Sequence, residues 1–210
     1  PLSIKRERPQ TVQVPYDDIA DQWVGVRANF RPKEAAYLGL LLQDTPTGSG
    51  VLDLGCGTGR PNAQHVVSRE HCVVGADSSS TLLALEKRYV HDGEWVEADL
   101  AAVDFEEWFA AVVCWDVLFH IERKFHGSFL DKIHRWLLPG GRRMLSSGGS
   151  DFDLPGFTDA MFGHEVFYDV YLIDQMVALV KEIGFAVVLV ELPDGGRNKG
   201  KLAVIACRRT

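Results

Sequence analysis

The sequence predicts an α/β fold, doubly wound, with helices on both faces of a mostly parallel seven-stranded sheet that ends in an antiparallel hairpin. Most of seven short runs are continuously apolar, as expected for strands buried on both faces of a parallel sheet. Helical patterns separate the early runs, whereas a short polar link joins the last two. The predicted strands are residues 51–54, 72–76, 94–98, 109–115, 142–147, 186–192 and 202–208.

The helices are predicted from apolar residues that recur on one helical face and from residues that start or end a helix. Phe129, Leu130, Ile133, Trp136 and Leu137 define one such face, and Pro139-Gly140-Gly141 is expected to end that helix. Gly184 is expected to cap the last helix. The other predicted helices lie around residues 17–23, 33–42, 61–68, 81–89 and 173–180.

The link between the last two strands, residues 193–201, is too short for a parallel crossover, which needs a dozen or more residues. It therefore predicts an antiparallel hairpin and one reversed strand at or near the sheet edge. No composition shift marks a second domain, so residues 1–210 are expected to form one domain. Two helices within residues 1–45 are expected to lie over it as a lid.

The composition excludes several classes of protein. Apolar residues make up 46% of the chain and charged residues 24%, which is unlike a disordered chain, a collagen-like fibre or a coiled-coil rod. The net charge of −7 argues against a large RNA or DNA partner, although it leaves a single base open as a target. The basic run at residues 5–8 is interpreted as a solvated terminus.

The sequence also bears on location and on metals. No apolar stretch approaches the ~20 residues of a membrane span, and the sequence shows no N-terminal signal pattern, so a soluble, cytoplasmic protein is expected. The four cysteines include no C-x-x-C pair and have no histidines at metal-binding spacing. We expect buried free thiols and no bound metal.

The most informative stretch is residues 51–61, Val-Leu-Asp-Leu-Gly-Cys-Gly-Thr-Gly-Arg-Pro, where a predicted strand runs into three alternate glycines. Glycines in such a turn let the backbone come close to a ligand. A dinucleotide-binding loop has a glycine at the sixth motif position, which is Arg60 here. The loop therefore fits a nucleoside better than a pyrophosphate.

Two aspartates stand at the ends of the next two predicted strands. The Asp77 carboxylate, 18 residues past Gly59, can accept both ribose hydroxyls of a nucleoside, and Asp99 can accept from an exocyclic amine. Either aspartate alone could instead be the N-cap of the following helix. Together with the glycine loop they occupy the ligand-binding rim of an open α/β sheet, and the set predicts a nucleoside site.

With these features the chain resembles, over nearly its whole length, the class I S-adenosylmethionine (SAM)-dependent methyltransferases. The glycine loop with Asp53 is similar to their first motif, residues 74–78 to their ribose-binding strand end and residues 97–100 to their adenine-contacting one. Residues 137–141 are similar to their turn before strand five, and the final hairpin to their strands six and seven.

The segment before the first strand adds to the resemblance. Residues 16–23, Tyr-Asp-Asp-Ile-Ala-Asp-Gln-Trp, look like the Tyr-Asp-x-Ile-Ala lead-in of small-molecule members, with Trp23 where Tyr is usual. This implies a lid helix over the methionine end of SAM; the alternative is that Tyr16 and Trp23 only pack the helix down. The resemblance assigns the cofactor to Tyr16, Trp23, Arg27, Asp53, Gly55, Cys56, Gly57, Gly59, Asp77, Ser78, Asp99, Leu100 and Trp115.

The reacting centre is expected where the fourth predicted strand ends. If a helical turn starts at Asp116, His120 lies one turn further on the same face. Asp116 could then orient His120 or the substrate, and His120, with an ordinary pKa near ~6.5, could take a proton from a hydroxyl or amine. The alternative interpretation makes Asp116 an N-cap and His120 a packing residue.

The acceptor is expected under an aromatic segment, residues 148–171, which we interpret as an inserted cover. Six of its 24 residues are aromatic, a quarter against 10% for the whole chain. Such a cover fits a small, partly apolar acceptor, whereas a structural mini-core under a long loop is the alternative. The expected substrate residues are Phe119, Phe167, Tyr168 and Tyr171.

The sequence thus predicts an enzyme that transfers the methyl group of SAM to an O, N or S nucleophile of a small molecule, leaving S-adenosylhomocysteine (SAH). Two other classes stay open: an NAD(P)-dependent oxidoreductase on a similar sheet, and a SAM-binding regulator without catalysis. Arg60 and the terminal hairpin speak against the oxidoreductase. The oligomeric state cannot be predicted.

Overall fold

The computed structural model describes residues 15–106, 108–195 and 200–210, so the basic run at residues 5–8 lies outside the described residues. Seven strands form one sheet in the order β3-β2-β1-β4-β5-β9-β8, and a separate hairpin pairs β6 with β7. The strands are β1 (Gly50–Leu54), β2 (Cys72–Asp77), β3 (Gly93–Glu97), β4 (Phe109–Cys114), β5 (Leu137–Gly148), β6 (Phe157–Met161), β7 (His164–Tyr168), β8 (Phe185–Glu191) and β9 (Lys201–Arg208).

The predicted fold class is confirmed. Strands β1 to β5 pair in parallel, whereas β9 runs antiparallel to both β5 and β8 and lies one strand in from the edge. The helices are α1 (Ala20–Val26), α2 (Glu34–Leu42), α3 (Asn62–Ser68), α4 (Ser80–Tyr89), α5 (His126–Trp136) and α6 (Ile173–Glu182).

Two hydrophobic cores lie on opposite faces of the sheet. On one face α5 and α6 bury Phe129, Ile133, Met176 and Val180 against the strands. On the other face α2 and α3 bury a second set that includes Leu38. Strand residues divide between the two faces because successive side chains of a strand point to opposite sides. This double cover explains the continuously apolar strands.

Two predicted boundaries were wrong. The helix expected around residues 17–23 begins only at Ala20, because the chain first turns at Pro15, whose carbonyl accepts from the N–H groups of Asp18 and Ile19. Leu137, expected on the apolar face of α5, has extended backbone and starts β5 opposite Phe109. Residues 139–141 therefore lie within the irregular first half of β5 and do not end the helix.

Three further observations concern the predictions on surface and location. All four cysteines are free thiols, as predicted, but only Cys56 and Cys114 are buried; Cys72, at the first position of β2, is exposed. None of the described helices is both long enough and apolar enough to span a lipid bilayer. The aromatic cover at 148–171 contains the β6–β7 hairpin, which its sequence did not predict.

Candidate active site

A cavity of about 660 Å³ opens along the carboxyl ends of β1, β2 and β4, where ligands bind in open α/β sheets. Eleven of the thirteen predicted cofactor residues and both predicted catalytic residues form its wall. These are Tyr16, Trp23, Arg27, Gly55, Cys56, Gly57, Asp77, Ser78, Asp99, Leu100, Trp115, Asp116 and His120. The wall also contains five residues that were not predicted: Arg60, Asn62, Leu82, Val117 and Glu122.

The glycine loop turns tightly under the cavity. Gly55, Gly57 and Gly59 all have positive φ angles of 58–69°. A Cβ on Gly55 would lie 2.2 Å from the Val117 side chain, so the close approach of the β4 end requires glycine there. The loop N–H groups donate to protein acceptors: Gly55 to the Ala76 carbonyl at 2.7 Å and Gly57 to Asp77 at 2.9 Å.

The remaining two predicted cofactor residues lie away from the cavity wall. A Cβ on Gly59 would lie 2.8 Å from a Glu86 carboxyl oxygen, so this glycine packs the loop against α4. Asp53 is 1% exposed in β1, and burial raises its pKa to about 7, with a further contribution from Asp77. Its Oδ2 has no hydrogen-bond partner within the described ranges.

Asp77 organises one end of the cavity. Its two carboxylate oxygens accept from the N–H groups of Gly57 and Ser79, both at 2.9 Å. Burial raises the pKa of Asp77, and these backbone bonds oppose the rise. Each carboxylate oxygen has a second lone pair, so a ribose hydroxyl can still be accepted. Asp99, on the neighbouring strand end, is exposed and accepts from the Ala101 N–H at 2.9 Å.

A neutral pair lies beneath the same loop. The Cys56 thiol donates to Glu86 at 3.3 Å, and burial raises the Glu86 pKa to about 9. Glu86 is therefore a protonated acid at neutral pH, and burial raises the pKa of the Cys56 thiol as well. The loop thus rests on uncharged groups, which avoids a third buried negative charge beside Asp53 and Asp77.

His120 stands at the opposite end of the cavity. Its Nδ1 lies 2.9 Å from the Phe167 carbonyl, which can only accept, so Nδ1 carries the proton and donates. Nε2 then carries the lone pair, and it accepts a hydrogen bond from the Tyr16 hydroxyl at 3.2 Å. Burial lowers the His120 pKa, against smaller opposing effects of the Phe167 carbonyl and Asp116. The imidazole is therefore a neutral acceptor aimed at the cavity.

Asp116 does not start a helical turn, contrary to the prediction. Its φ of 62° is left-handed, and the first helical turn is a 3₁₀ turn at Leu118–His120. An Asp tolerates this conformation because its short side chain can bond locally. Its carboxylate pairs with Lys201 and lies 3.8 Å from Arg31 and 4.0 Å from Arg27. Phe167, and not Asp116, orients His120.

None of the four predicted substrate residues lies on the cavity wall, and three of them, Phe119, Phe167 and Tyr168, contact His120. Tyr168 packs beside the His120 and Phe119 rings, with centroids 5.1 and 5.8 Å away, and stacks on Phe157. Phe167 contributes its carbonyl to His120. Tyr171 packs against the His126 ring and the core under α6. The cover therefore packs against His120 and His126 and forms no part of the cavity wall.

Charged residues that sequence patterns missed surround the same end. Glu34, Arg31 and Lys201 form ion pairs with Arg27 and Asp116. Glu34 stands in the first turn of α2, where an acid is a common complement to the helix dipole. The sequence around Glu34 contains no pattern that predicts its contacts with residues on other elements. The described residues contain no group of three or more His, Cys, Asp or Glu side chains that could hold a metal ion.

Comparison with known families and structures identifies the class of this fold. Residues 51–141 match a family model described as a methyltransferase domain. A search of curated protein sequences finds no match. Residues 51–141 are therefore similar to a methyltransferase domain, and this match together with the shared fold agrees with the predicted resemblance to the class I SAM-dependent methyltransferases.

Solved structures share this fold at low sequence identity. The 1,6-didemethyltoxoflavin-N1-methyltransferase of Burkholderia thailandensis, with bound SAH, is 20% identical with a TM-score of 0.66, covering 100% of this chain and 99% of that one. The magnesium protoporphyrin IX methyltransferase of Synechocystis PCC 6803, with bound SAM, is 16% identical with a TM-score of 0.68, covering 92% and 93%. The cyclase SpnF is 16% identical with a TM-score of 0.73, covering 96% and 97%.

Proposed function

We propose that this protein transfers the methyl group of SAM to an O, N or S nucleophile of a small molecule. The observation that carries the proposal is a single cavity with two different ends, within a methyltransferase domain. Asp77 and Asp99 face one end and suit a nucleoside. Arg27, Asp116 and His120 face the other, where a polar group and a reacting atom can be held.

The residues present fit SAM. Gly57 lies on the cavity wall with a φ of 58°, a left-handed conformation that favours glycine, so no side chain projects from this position. The Asn62 Oδ1 and Arg60 Nε atoms are buried in the wall and have no hydrogen-bond partner among the described residues. When bound, SAM supplies a methyl group on a positively charged sulfur. Asp77 would hold the ribose, Asp99 and Leu100 the adenine, and Arg27 the methionine carboxylate.

The chain's own groups position the acceptor and accept its proton. The Nε2 lone pair of His120 would take the proton of the acceptor's hydroxyl, amine or thiol as the acceptor atom bonds to the methyl carbon and the bond from that carbon to the sulfonium sulfur breaks, which leaves SAH. The acceptor reaches Nε2 by displacing the Tyr16 hydroxyl, which occupies it in this structure. Holding the nucleophile in line is itself a large part of such catalysis. Phe167 keeps the imidazole in the productive tautomer.

A small acceptor is favoured by the size of the cavity and by the printed substrates of two neighbours, a toxoflavin precursor and magnesium protoporphyrin IX. We also propose that residues 1–210 act as one domain, that no nucleic acid is bound, and that the protein is cytoplasmic. We keep Phe119, Phe167, Tyr168 and Tyr171 as residues that shape the acceptor site, the last three from the cover. Their contacts with His120 and His126 support an indirect effect on the acceptor.

Calorimetry tests the cofactor assignment. SAM and SAH should bind the wild-type protein, and Asp77→Asn should weaken SAH binding by roughly 1.5–3 kcal/mol, because the ribose hydroxyls lose a charged acceptor. Asp131→Asn, which alters an exposed carboxylate of α5 beside Arg135, is the matched control and should bind SAH like the wild type. Tight NADH binding without a SAH signal would end the proposal in favour of an oxidoreductase.

Methyl transfer itself needs a second measurement. A panel of small hydroxyl, amine and thiol acceptors with labelled SAM should yield a labelled product for at least one class. The cyclase among the neighbours shows that this fold can support other chemistry. SAH binding without transfer to any acceptor of the panel would favour the SAM-binding regulator.

A further inference from the structure

Glu34 is a buried carboxylate that joins three parts of the chain. It is 2% exposed, and its two oxygens accept from Arg27 Nη1 at 3.0 and 3.1 Å. Oε1 also accepts from the Trp115 indole N–H at 2.8 Å, and Oε2 from the Arg31 backbone N–H at 3.0 Å. One side chain at the start of α2 thus fixes the end of α1 and the end of β4.

The two side chains that Glu34 holds both form the cavity wall, whereas Glu34 itself does not. Arg27 and Trp115 stand at the end of the cavity that also contains Asp116. A buried guanidinium whose Nη1 is fixed in this way presents its remaining N–H groups in a set direction, because the group is planar. Glu34 therefore sets the geometry of a cation that a ligand can reach.

The charge balance of the cluster indicates what that ligand carries. Ion pairs connect three cations, Arg27, Arg31 and Lys201, with two anions, Glu34 and Asp116. The buried Arg27 and Lys201 balance the two buried anions, so the surplus positive charge is carried by Arg31, whose side chain is 39% exposed. One carboxylate from a bound ligand would complete the balance.

We propose that Glu34 is a positioning residue for the cofactor: it aligns Arg27 and Trp115 so that Arg27 binds the methionine carboxylate. This rests on the proposed function, since it presumes that SAM and SAH occupy the cavity. Glu34 touches no ligand atom itself. Its effect should therefore be confined to ligands that carry the carboxylate.

Two ligands and two variants separate this role from a structural one. SAH carries the carboxylate, whereas 5′-methylthioadenosine has the same nucleoside thioether without the amino-acid part. Glu34→Gln keeps one acceptor oxygen but places an NH₂ donor against the donors of Arg27 or Arg31. Calorimetry should show SAH binding weakened about tenfold or more, with 5′-methylthioadenosine binding within about twofold of wild type. Glu191→Gln is the control: its carboxylate also ties α2 to the sheet, through Lys33 and Tyr37, but Glu191 forms no part of the cavity wall and does not bond to Arg27 or Trp115.

Every outcome is decisive. Equal losses for both ligands would make Glu34 a structural residue, and unchanged SAH binding would remove any role; either overturns the inference. A wild-type protein that binds neither ligand would instead overturn the proposed function. If Glu34→Gln does not fold, Glu34→Asp keeps the charge but withdraws it from Arg27, and the same selective loss of SAH affinity is expected.

Discussion

The surroundings of His120 favour its neutral form, which is the form that a general base needs. Burial lowers its pKa below the ordinary value of 6.5, and the Phe167 carbonyl holds the proton on Nδ1. Above pH 6.5 the imidazole is therefore unprotonated in both the folded and the unfolded chain. As the pH falls below 6.5 the unfolded chain takes up a proton first, so folding stability decreases until the lowered pKa is reached. Buried His126 has a lowered pKa too and acts in the same direction.

We expect the turnover rate to rise with pH through one ionisation below 6.5 and to be level near neutrality. His120→Ala should lower kcat by about 10²–10⁴-fold, the usual contribution of a general base, and change SAH affinity far less. The measurement is kcat against pH with an acceptor found in the panel. His91→Ala, at an exposed position, is the control. Unchanged turnover in His120→Ala would return the residue to a packing role, and Asp116→Asn would be tested next.

For individual residues, the sequence predicted many members of the cavity wall but few of the side chains that they contact. The glycine loop, Asp77 and His120 follow from short-range patterns at strand ends. Glu34 and Lys201 could not be found in this way, because they approach Trp115 and Asp116 only after residues 81 or more positions apart have packed together. The left-handed backbone of Asp116 could not be predicted either, because an Asp at the end of a strand is also a preferred N-cap residue of a following helix.

Among the elements, β5 contains the least expected side chain. Arg143 is 1% exposed between Val112 and Ala206, and its guanidinium lies 4.1 Å over the Phe185 ring. Its three nitrogens have no hydrogen-bond partner in the part of the chain that the structure describes. Burial lowers its pKa to about 9, so it is still charged at neutral pH, where the cost of burial is fully present.

Arg143→Met should therefore stabilise the protein. Methionine keeps the apolar contact with Phe185 and removes the unpaired charge, and the free energy of unfolding should rise by about 1 kcal/mol or more. Denaturant unfolding at neutral pH measures it. The neighbour Arg142→Met is the control, because Arg142 pairs with Asp44 and the Leu40 carbonyl, and its loss should not stabilise. A destabilised Arg143→Met would show that stacking on Phe185 outweighs the buried charge.

For the whole molecule, the sheet could be predicted because each strand is a separate apolar run and the last link is short. Six helices and all seven strands of the sheet appear near their predicted positions. The β6–β7 hairpin was missed because its strands, nearly all exposed or half-buried, lack a clear apolar alternation. The position of the segment before α1 at the cavity was implied by resemblance alone, since the contacts of Tyr16 and Asp17 join residues more than 60 positions apart.

The contacts of this segment, residues 15–19, should control how fast the cofactor dissociates from the cavity. The Asp17 carboxylate accepts from the Ser79 hydroxyl at 2.6 Å and from the Thr81 N–H at 3.1 Å, which ties the lid to the start of α4. Asp17→Ala should speed SAH dissociation about three- to tenfold, the effect of losing two partly exposed hydrogen bonds to a charged group. Stopped-flow displacement, followed by the fluorescence of Trp23 and the other tryptophans, measures the rate. Asp21→Ala removes an exposed acid of the same segment and should leave it unchanged. Equal rates in both variants and the wild type would show that the lid opens without breaking this contact.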